Sequence, residues 1–250
     1  MEVKNFIRWM FGKFGLRLIR TKNIKYLFTC DALDDFFSSL QGLGFAPKHI
    51  IDVGANHGDW TRTALKYFPD AQYTLIEPQD HLKIHIQDLV HRGCKIQWIN
   101  AGASDKSGSM PMSISHRDDS STFVLTDRHG RSASSQRISV AVKTLNEIVS
   151  GNALPPEMVK IDAEGFDLKV LAGASNLLGK TDIFLVEALV CGSNYENSIA
   201  EVMKFMVNAG YRLIDITTPN RSPKYGVLWL CEFAFLRNAS PLLQAVVSYE

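Results

Sequence analysis

Ile50-Ile-Asp-Val-Gly-Ala-Asn-His-Gly-Asp59 reads as an apolar strand, a glycine turn and the first residue of a helix. The run His49 to Val53 is apolar enough for a strand buried on both faces. Gly54 and Gly58 allow positive φ and close approach of a ligand to the backbone. Asn56, between them, tolerates the left-handed region better than most residues. In an open parallel sheet such a turn lies at the carboxyl end of a strand, where nucleotides bind. The helix N-terminus behind it favours a negatively charged ligand group. The spacing is Gly-x-x-x-Gly, so the third glycine of a dinucleotide fingerprint is missing.

Outward from this turn the same rhythm repeats. Asp31 is a good N-cap for a predicted helix over 32–41, with Leu33, Phe36, Phe37 and Leu40 inward. Downstream, a helix from about Trp60 places Trp60, Ala64, Leu65 and Phe68 on one face. Residues 73–76 form a second strand, and a helix over 80–92 buries Leu82, Ile86, Leu89 and Val90, closed by Gly93. A third strand covers 95–99. Strands 158–161 and 183–186 bracket a helix with Leu168, Leu171 and Leu178 inward, and a helix over 197–209 follows. Short apolar strands alternating with helices predict a parallel sheet covered on both faces. Strands 211–217 and 227–236 have no helix between them and predict an antiparallel hairpin. Trp60, Trp98 and Trp229 read as packing residues.

Composition bounds the function. The 250 residues carry a formal net charge of +1, with 46% hydrophobic and 21% charged residues, which excludes a largely disordered chain and gives no support to nucleic-acid binding. Residues 1–30 hold seven Lys or Arg against one acid, Glu2. Residues 3–20 read as an amphipathic helix, with Val3, Phe6, Ile7, Met10, Phe11, Phe14 and Leu18 on one arc, able to lie on an anionic membrane, dock on a partner or pack on its own domain. No apolar run reaches the roughly 18 residues of a membrane span. The four cysteines are scattered and read as free thiols in a reducing, cytoplasmic compartment. Residues 104–137 form a serine-rich polar insert with ten serines. It includes short strands at 110–114 and 121–125, and a further strand covers 138–142. His116, Arg117, Arg128, His129, Arg131 and Arg137 in this region could hold an acidic or phosphorylated acceptor or form a solvated loop.

Four acids stand where chemistry is expected. Glu77 ends the second strand 23 residues after Gly54, where an acid accepts hydrogen bonds from ribose hydroxyls; Pro78 then stops the strand. Together with the glycine turn, this implies an adenosine-containing ligand. Asp162 ends the next inner strand and is followed by Glu164-Gly165, which turn the chain into a helix. Glu187 ends the strand after that. Asp162 and Glu187 therefore end neighbouring strands and could share one crevice. Such a pair could coordinate a hard cation such as Mg²⁺, or one member could act as general base toward an attacking hydroxyl. His57, inside the turn, could contact the cofactor or act as a base.

The ordered set Asp52-Val-Gly-Ala-Asn-x-Gly58, Glu77-Pro78, Val142-Lys-Thr-Leu145, Lys160-Ile-Asp-x-Glu-Gly165, Val170-Leu-x-Gly-Ala174 and Val186-Glu187 closely resembles the FkbM family of S-adenosylmethionine-dependent methyltransferases. The resemblance runs from about residue 50 to residue 217. One departure is Asn146, where the family often has Asp; another is Phe166, read as packing. The resemblance implies an α/β, class I (Rossmann-like) methyltransferase fold. That fold is a three-layer sandwich with a seven-stranded, mostly parallel sheet and an antiparallel last strand. Residues 1–45 would form a small N-terminal basic helical cap, and 46–250 the methyltransferase domain. The resemblance places S-adenosylmethionine on Gly54, Ala55, Asn56 and Gly58, with Asp52 and Pro78 in the same motifs and Glu77 on the ribose. Asn100, Ala101 and Ala103 would lie near the adenine.

The implied activity is O-methylation of a hydroxyl of a sugar in a glycan or glycolipid, or of a polyhydroxylated natural product. The expected catalytic residues are Asp162, Glu187 and Glu164, and Asp162 and Glu187 would be the ligands if Mg²⁺ is used. The Asn/Asp-Pro-Pro-aromatic loop usual in amide and adenine N-methyltransferases is replaced here by Asp162-Ala-Glu-Gly165, which favours oxygen over nitrogen. Two rivals remain: a methyltransferase-fold binding protein without activity, and a nicotinamide-dependent oxidoreductase. The missing third glycine and the terminal hairpin oppose the latter.

Overall fold

The computed structural model describes residues 32–114, 136–151, 154–191 and 196–245. The amphipathic segment 3–20, the Asp31 cap and most of the serine-rich insert lie outside them. Among the described residues, seven strands form one sheet: β1 (His49–Val53), β2 (Gln72–Ile76), β3 (Ile96–Ile99), β7 (Met158–Ile161), β8 (Ile183–Leu189), β9 (Tyr211–Arg221) and β10 (Leu228–Arg237). Their order is β3-β2-β1-β7-β8-β10-β9. The inner pairs are parallel. β10 is antiparallel to both β8 and β9 and slots between them. This is the class I methyltransferase arrangement, and it contains the expected terminal hairpin.

The inner strands β1, β7 and β8 are buried because they carry few polar side chains, whereas the edge strand β9 is mostly exposed. One face presents Ile51, Val53, Val159, Ile161, Phe184 and Val186 to α6 (Ile199–Asn208), where Val202 and Met206 pack. The other presents Ile50, Leu75, Met158 and Leu185 to α1 (Ala32–Gly42) and α2 (Asp59–Tyr67). Phe37 of α1 lies edge-on to Trp60 and Phe68, with ring centroids 5.4 and 5.6 Å apart. Such pairs add to the burial energy of the rings. α1 therefore joins the main core, with Leu33, Phe36, Phe37 and Leu40 inward as its periodicity predicts.

Three expectations need correction. The segment 80–92 is a 3₁₀ turn (Asp80–Ile86) followed by a short α3 (Gln87–His91), and Val90 is 48% exposed. The helix after β7 is α5 (Asp167–Ala172), shorter than a helix reaching Leu178. Trp229 is 37% exposed and does not pack as core. Beside the main sheet, β4 (Gly102–Ala103), β5 (Gly108–Ile114) and β6 (Gln136–Lys143) form a second sheet, which gives the described ends of the insert their strands. The intervening α4 (Leu145–Ser150) is capped by the Thr144 side chain, which accepts from the Glu147 N–H. No described helix is long and apolar enough to cross a membrane.

Candidate active site

The parallel register brings the signalled residues to one end of the sheet. Asp52 and Lys160 are partners across β1 and β7. Asp162 lies just past β7 and Glu187 within β8, each one residue beyond the pair Ile161–Val186; β8 runs on to Leu189, so Glu187 does not end its strand as expected. Glu187 is opposite Glu232 on β10. Alternate residues on a strand share a face. Asp52, Lys160, Asp162, Glu187 and Glu232 therefore continue the face that packs α1 and α2.

The glycine turn is shaped by close backbone approach. Gly54 (φ 72°), Asn56 (φ 46°) and Gly58 (φ 79°) all take positive φ. A Cβ at Gly54 would run into the Asp162 carbonyl oxygen, and one at Gly58 would lie 2.6 Å from Cγ2 of Ile86. The Gly54 N–H donates to Ile76 O at 2.9 Å, which ties the turn to the end of β2. Glu77 completes the link. One carboxylate oxygen accepts the Asn56 N–H and the other the Gln79 N–H, both at 3.0 Å. A carboxylate has about four lone-pair sites, so Glu77 keeps acceptor capacity after both bonds. Burial raises its proton affinity, opposed by those two N–H bonds.

Half-buried Pro78 and exposed Asn100 flank Glu77, with Asn100 Nδ2 donating to Pro78 O at 3.4 Å. Asp52, Ala55, Ala101 and Ala103 are different. All four are buried. Asp52 accepts from Thr61 Oγ1 at 2.6 Å and pairs with Lys160. Ala103 packs in the core with Ile76 and Leu145. These four are packed into the chain around the glycine turn.

Lys160 is the centre of the arrangement. Its Nζ lies 3.3 Å from Asp52 Oδ1 and 3.3 Å from Asp162 Oδ2. It donates to Val53 O and Gly54 O at 3.3 and 3.1 Å. One ammonium therefore ties the glycine turn to the carboxylate of Asp162. Burial opposes its charge, but Asp162, Asp52, Glu232 and Glu187 outweigh that and hold its proton more firmly than in an ordinary lysine.

Asp162, with 35% of its side chain exposed, and Glu187 are brought together. They stand side by side across the β7–β8 register, one step beyond Ile161–Val186. Burial raises Glu187 well above the usual range, and Asp162, Asp167 and Glu164 push the same way. The turn after β7 is held by Asp167, whose carboxylate accepts the Ala163 N–H at 2.9 Å and the Gly165 N–H at 3.1 Å. Asn197 Nδ2 donates to the same carboxylate at 2.7 Å and to Glu187 O at 3.0 Å. Burial lifts Asp167 to about 7. Half-buried Glu164 takes φ 51° on this turn, in a region a glutamate rarely occupies. His57 stacks near His85 at 4.2 Å between centroids, on the far side of the turn.

Asp167, Asn197 and Glu232 lie outside the patterns read above, and Lys160, which opens the Lys160-Ile-Asp-x-Glu-Gly165 run, has no role assigned to it there. A lone charge inside an apolar strand, Val159-Lys-Ile161 or Cys231-Glu-Phe233, is the trace that marks two of them. Among the described residues, no group of three or more His, Cys, Asp or Glu is arranged to hold a metal ion.

Comparison with known proteins finds methyltransferases among the similar solved structures. Precorrin-6y C5,15-methyltransferase from Geobacter metallireducens superposes with a TM-score of 0.48 and 11% identity, over 84% of this chain and 90% of that one. A 1,6-didemethyltoxoflavin-N1-methyltransferase from Burkholderia thailandensis, solved with S-adenosylhomocysteine, gives 0.44 and 14%, over 95% and 91%. Among curated proteins none matches. Residues 52–213 match the methyltransferase FkbM domain, a span that begins in the strand before the glycine turn and ends in β9. On that match over most of its length, this chain is a member of the FkbM methyltransferase family.

Proposed function

We propose that this methyltransferase uses S-adenosylmethionine to methylate a hydroxyl of a sugar or other polyhydroxylated acceptor. The residues present fit that cofactor. Glu77 offers free acceptor sites to a vicinal diol, and the carboxylates of Asp162 and Glu187 suit a cationic centre beside it. When bound, S-adenosylmethionine supplies a methyl group on a good leaving group.

The single observation that carries the reading is that Asp162 and Glu187 stand side by side at the carboxyl end of adjacent parallel strands, beside the glycine turn. A hydroxyl is a weak nucleophile until a base takes its proton. Glu187, whose burial and acidic neighbours raise its proton affinity, is the group that would accept that proton. Asp162, fixed by Lys160 at 3.3 Å, orients the acceptor O–H against the turn. Glu164, on the same turn, adds to the field that holds the proton on Glu187. Mg²⁺ on Asp162 and Glu187 is the alternative way to activate the hydroxyl, so acceptor assays belong both with and without it. The basic segment 1–30 would bring such an enzyme to an anionic membrane carrying its acceptor; unchanged vesicle co-sedimentation after deletion of residues 1–25 would remove that part.

The test is calorimetric titration with S-adenosylhomocysteine, with Glu77→Ala as control. We expect saturable binding, weakened at least tenfold by the substitution, which is about 1.4 kcal/mol. No binding by folded protein would overturn the reading and favour a binding protein on a methyltransferase fold.

A further inference from the structure

Trp229 stands where the β9–β10 hairpin breaks step. Leu228 pairs with Arg221 and Leu230 with Asn220, so Trp229 is the extra residue of a β-bulge. Bulges gather beside active sites and re-aim the side chains they carry. This one leaves the indole exposed in a strand whose later residues, Cys231 to Leu236, are all buried. The backbone around it is tied down. Trp229 O accepts the Val190 N–H at 2.9 Å, and across the hairpin tip the Ser222 N–H donates to Val227 O at 2.9 Å. Arg221 Nη1 donates to Gly226 O at 3.1 Å. The indole is thus carried on a bonded frame.

Its place decides its use. β10 runs antiparallel to β8, so it starts at the end of the sheet that carries Asp162 and Glu187. Val190 is three residues past Glu187, and Trp229 is three residues before Glu232, the cross-strand partner of Glu187. At about 3.3 Å per residue, both counts put Trp229 about 10 Å along the strands from Glu187. An exposed indole presents a flat apolar face and one N–H donor. Opposite the bulge, Asn220 and Arg221 are exposed polar side chains. A flat apolar surface flanked by hydrogen-bonding groups matches a sugar ring, which has C–H bonds on its face and hydroxyls at its edge. Single exposed apolar residues are ordinary. Here Tyr225, Val227 and Trp229 are all exposed within five residues, at the crevice end of the sheet.

We propose that Trp229 is an acceptor-binding residue: its indole stacks on the sugar ring next to the one that receives the methyl group, so the acceptor is a glycoside of two or more sugars. This rests on the reading of the Asp162–Glu187 crevice as the site of methyl transfer. The spacing of about 10 Å along the strands is more than one sugar ring spans. The C–H bonds of the stacked ring carry partial positive charge and meet the negative face of the indole. That attraction suits many sugars. Asn220 and Arg221 select among them through the ring hydroxyls.

The experiment is saturation-transfer difference NMR of the full chain with soluble probes: cellobiose, maltose, lactose and N,N′-diacetylchitobiose. At least one is expected to bind, with the strongest transfer on the C–H protons of one ring. Trp229→Ala should raise its dissociation constant roughly tenfold, the usual weight of a buried aromatic anchor. Trp229→Leu, which keeps bulk but loses the π face, should do nearly the same, and Trp229→Phe should retain most of the binding. Binding of none of the probes, or unchanged binding in a folded Trp229→Ala protein, would overturn the proposal. Unchanged sugar binding with a fall in particle mass by light scattering would overturn it in favour of a contact between copies of this chain. If Trp229→Ala does not fold, Trp229→Leu decides by the same criterion. S-adenosylhomocysteine should bind wild type and Trp229→Ala equally, so failure of the sugar site and failure of the cofactor reading are told apart.

Discussion

Asp162 and Glu187 stand side by side on neighbouring parallel strands, each one residue beyond the pair Ile161–Val186, and the nearby Asp162 helps Glu187 hold its proton. A site built this way is inactive while Glu187 keeps that proton. Methyl transfer, measured as kcat/KM against pH, should therefore rise with pH through a single ionisation above the usual glutamate range. Glu187→Gln should lose this limb and fall by about 10²- to 10⁴-fold, the usual contribution of a general base. A pH-independent rate in the wild-type protein would contradict the assignment of Glu187.

Lys160 compensates Asp52, which is wholly buried. Lys160→Met would leave that carboxylate with the Thr61 hydroxyl as hydrogen-bond donor and without the lysine's charge. Removing one partner of a buried pair costs about 3–5 kcal/mol. Denaturant unfolding of Lys160→Met should show a loss of that size. A change under about 1 kcal/mol would mean that water reaches Asp52 once the lysine is gone.

Gly54 and Gly93 both take positive φ, at 72° and 82°. At Gly93 nothing lies within 4 Å of an added Cβ, whereas at Gly54 the Asp162 backbone stands in the way. Gly93→Ala should cost only the conformational penalty, about 1–2 kcal/mol. Gly54→Ala should force the β1 and β7 turns apart and lower the melting temperature much further. Equal melting temperatures for the two variants would show that the turns are not in contact in solution.

Burial raises Asp167 and Glu232 to about 7 in the folded chain. In the unfolded chain both lose their protons near pH 4. Between about pH 4 and 7 the fold therefore binds more protons than the unfolded state, and their stabilisation is present below that window and lost as pH rises through it. His49 acts in the opposite sense: burial lowers its proton affinity, so it favours the fold above about 6.5 and costs stability on acidification. The two carboxyls should outweigh the one imidazole. Denaturation midpoints are expected to fall from pH 4.5 to pH 7, and to fall less in Glu232→Gln. A steeper fall in that variant would sink the assignment of Glu232 to this effect.

Much of the fold is legible because it is local. The glycine turn, Glu77 and the terminal hairpin are each written within about thirty residues of contiguous sequence, and periodicity finds them. Leu33, Phe36, Phe37 and Leu40 are inward in both the pattern and the structure. The 3₁₀ stretch at Asp80–Ile86 was less legible, because Leu82 and Ile86 have helical spacing whether the turn is α or 3₁₀. Glu232 was illegible for a different reason. Its place opposite Glu187 follows from β10 entering between β8 and β9, a register that no window of sequence contains.

The insertion of β10 between β8 and β9 also fixes an order in time. The turn and Glu77 draw on neighbours about twenty residues apart, so their half of the site closes a short loop and is entropically cheap to assemble early. Lys160 must reach back more than a hundred residues to Gly54, and Glu232 meets Glu187 only after the hairpin has folded back on the sheet. High sequence separation makes such contacts slow. A chain part-way through folding thus owns a recognisable pocket for a ligand before it owns the means to transform anything.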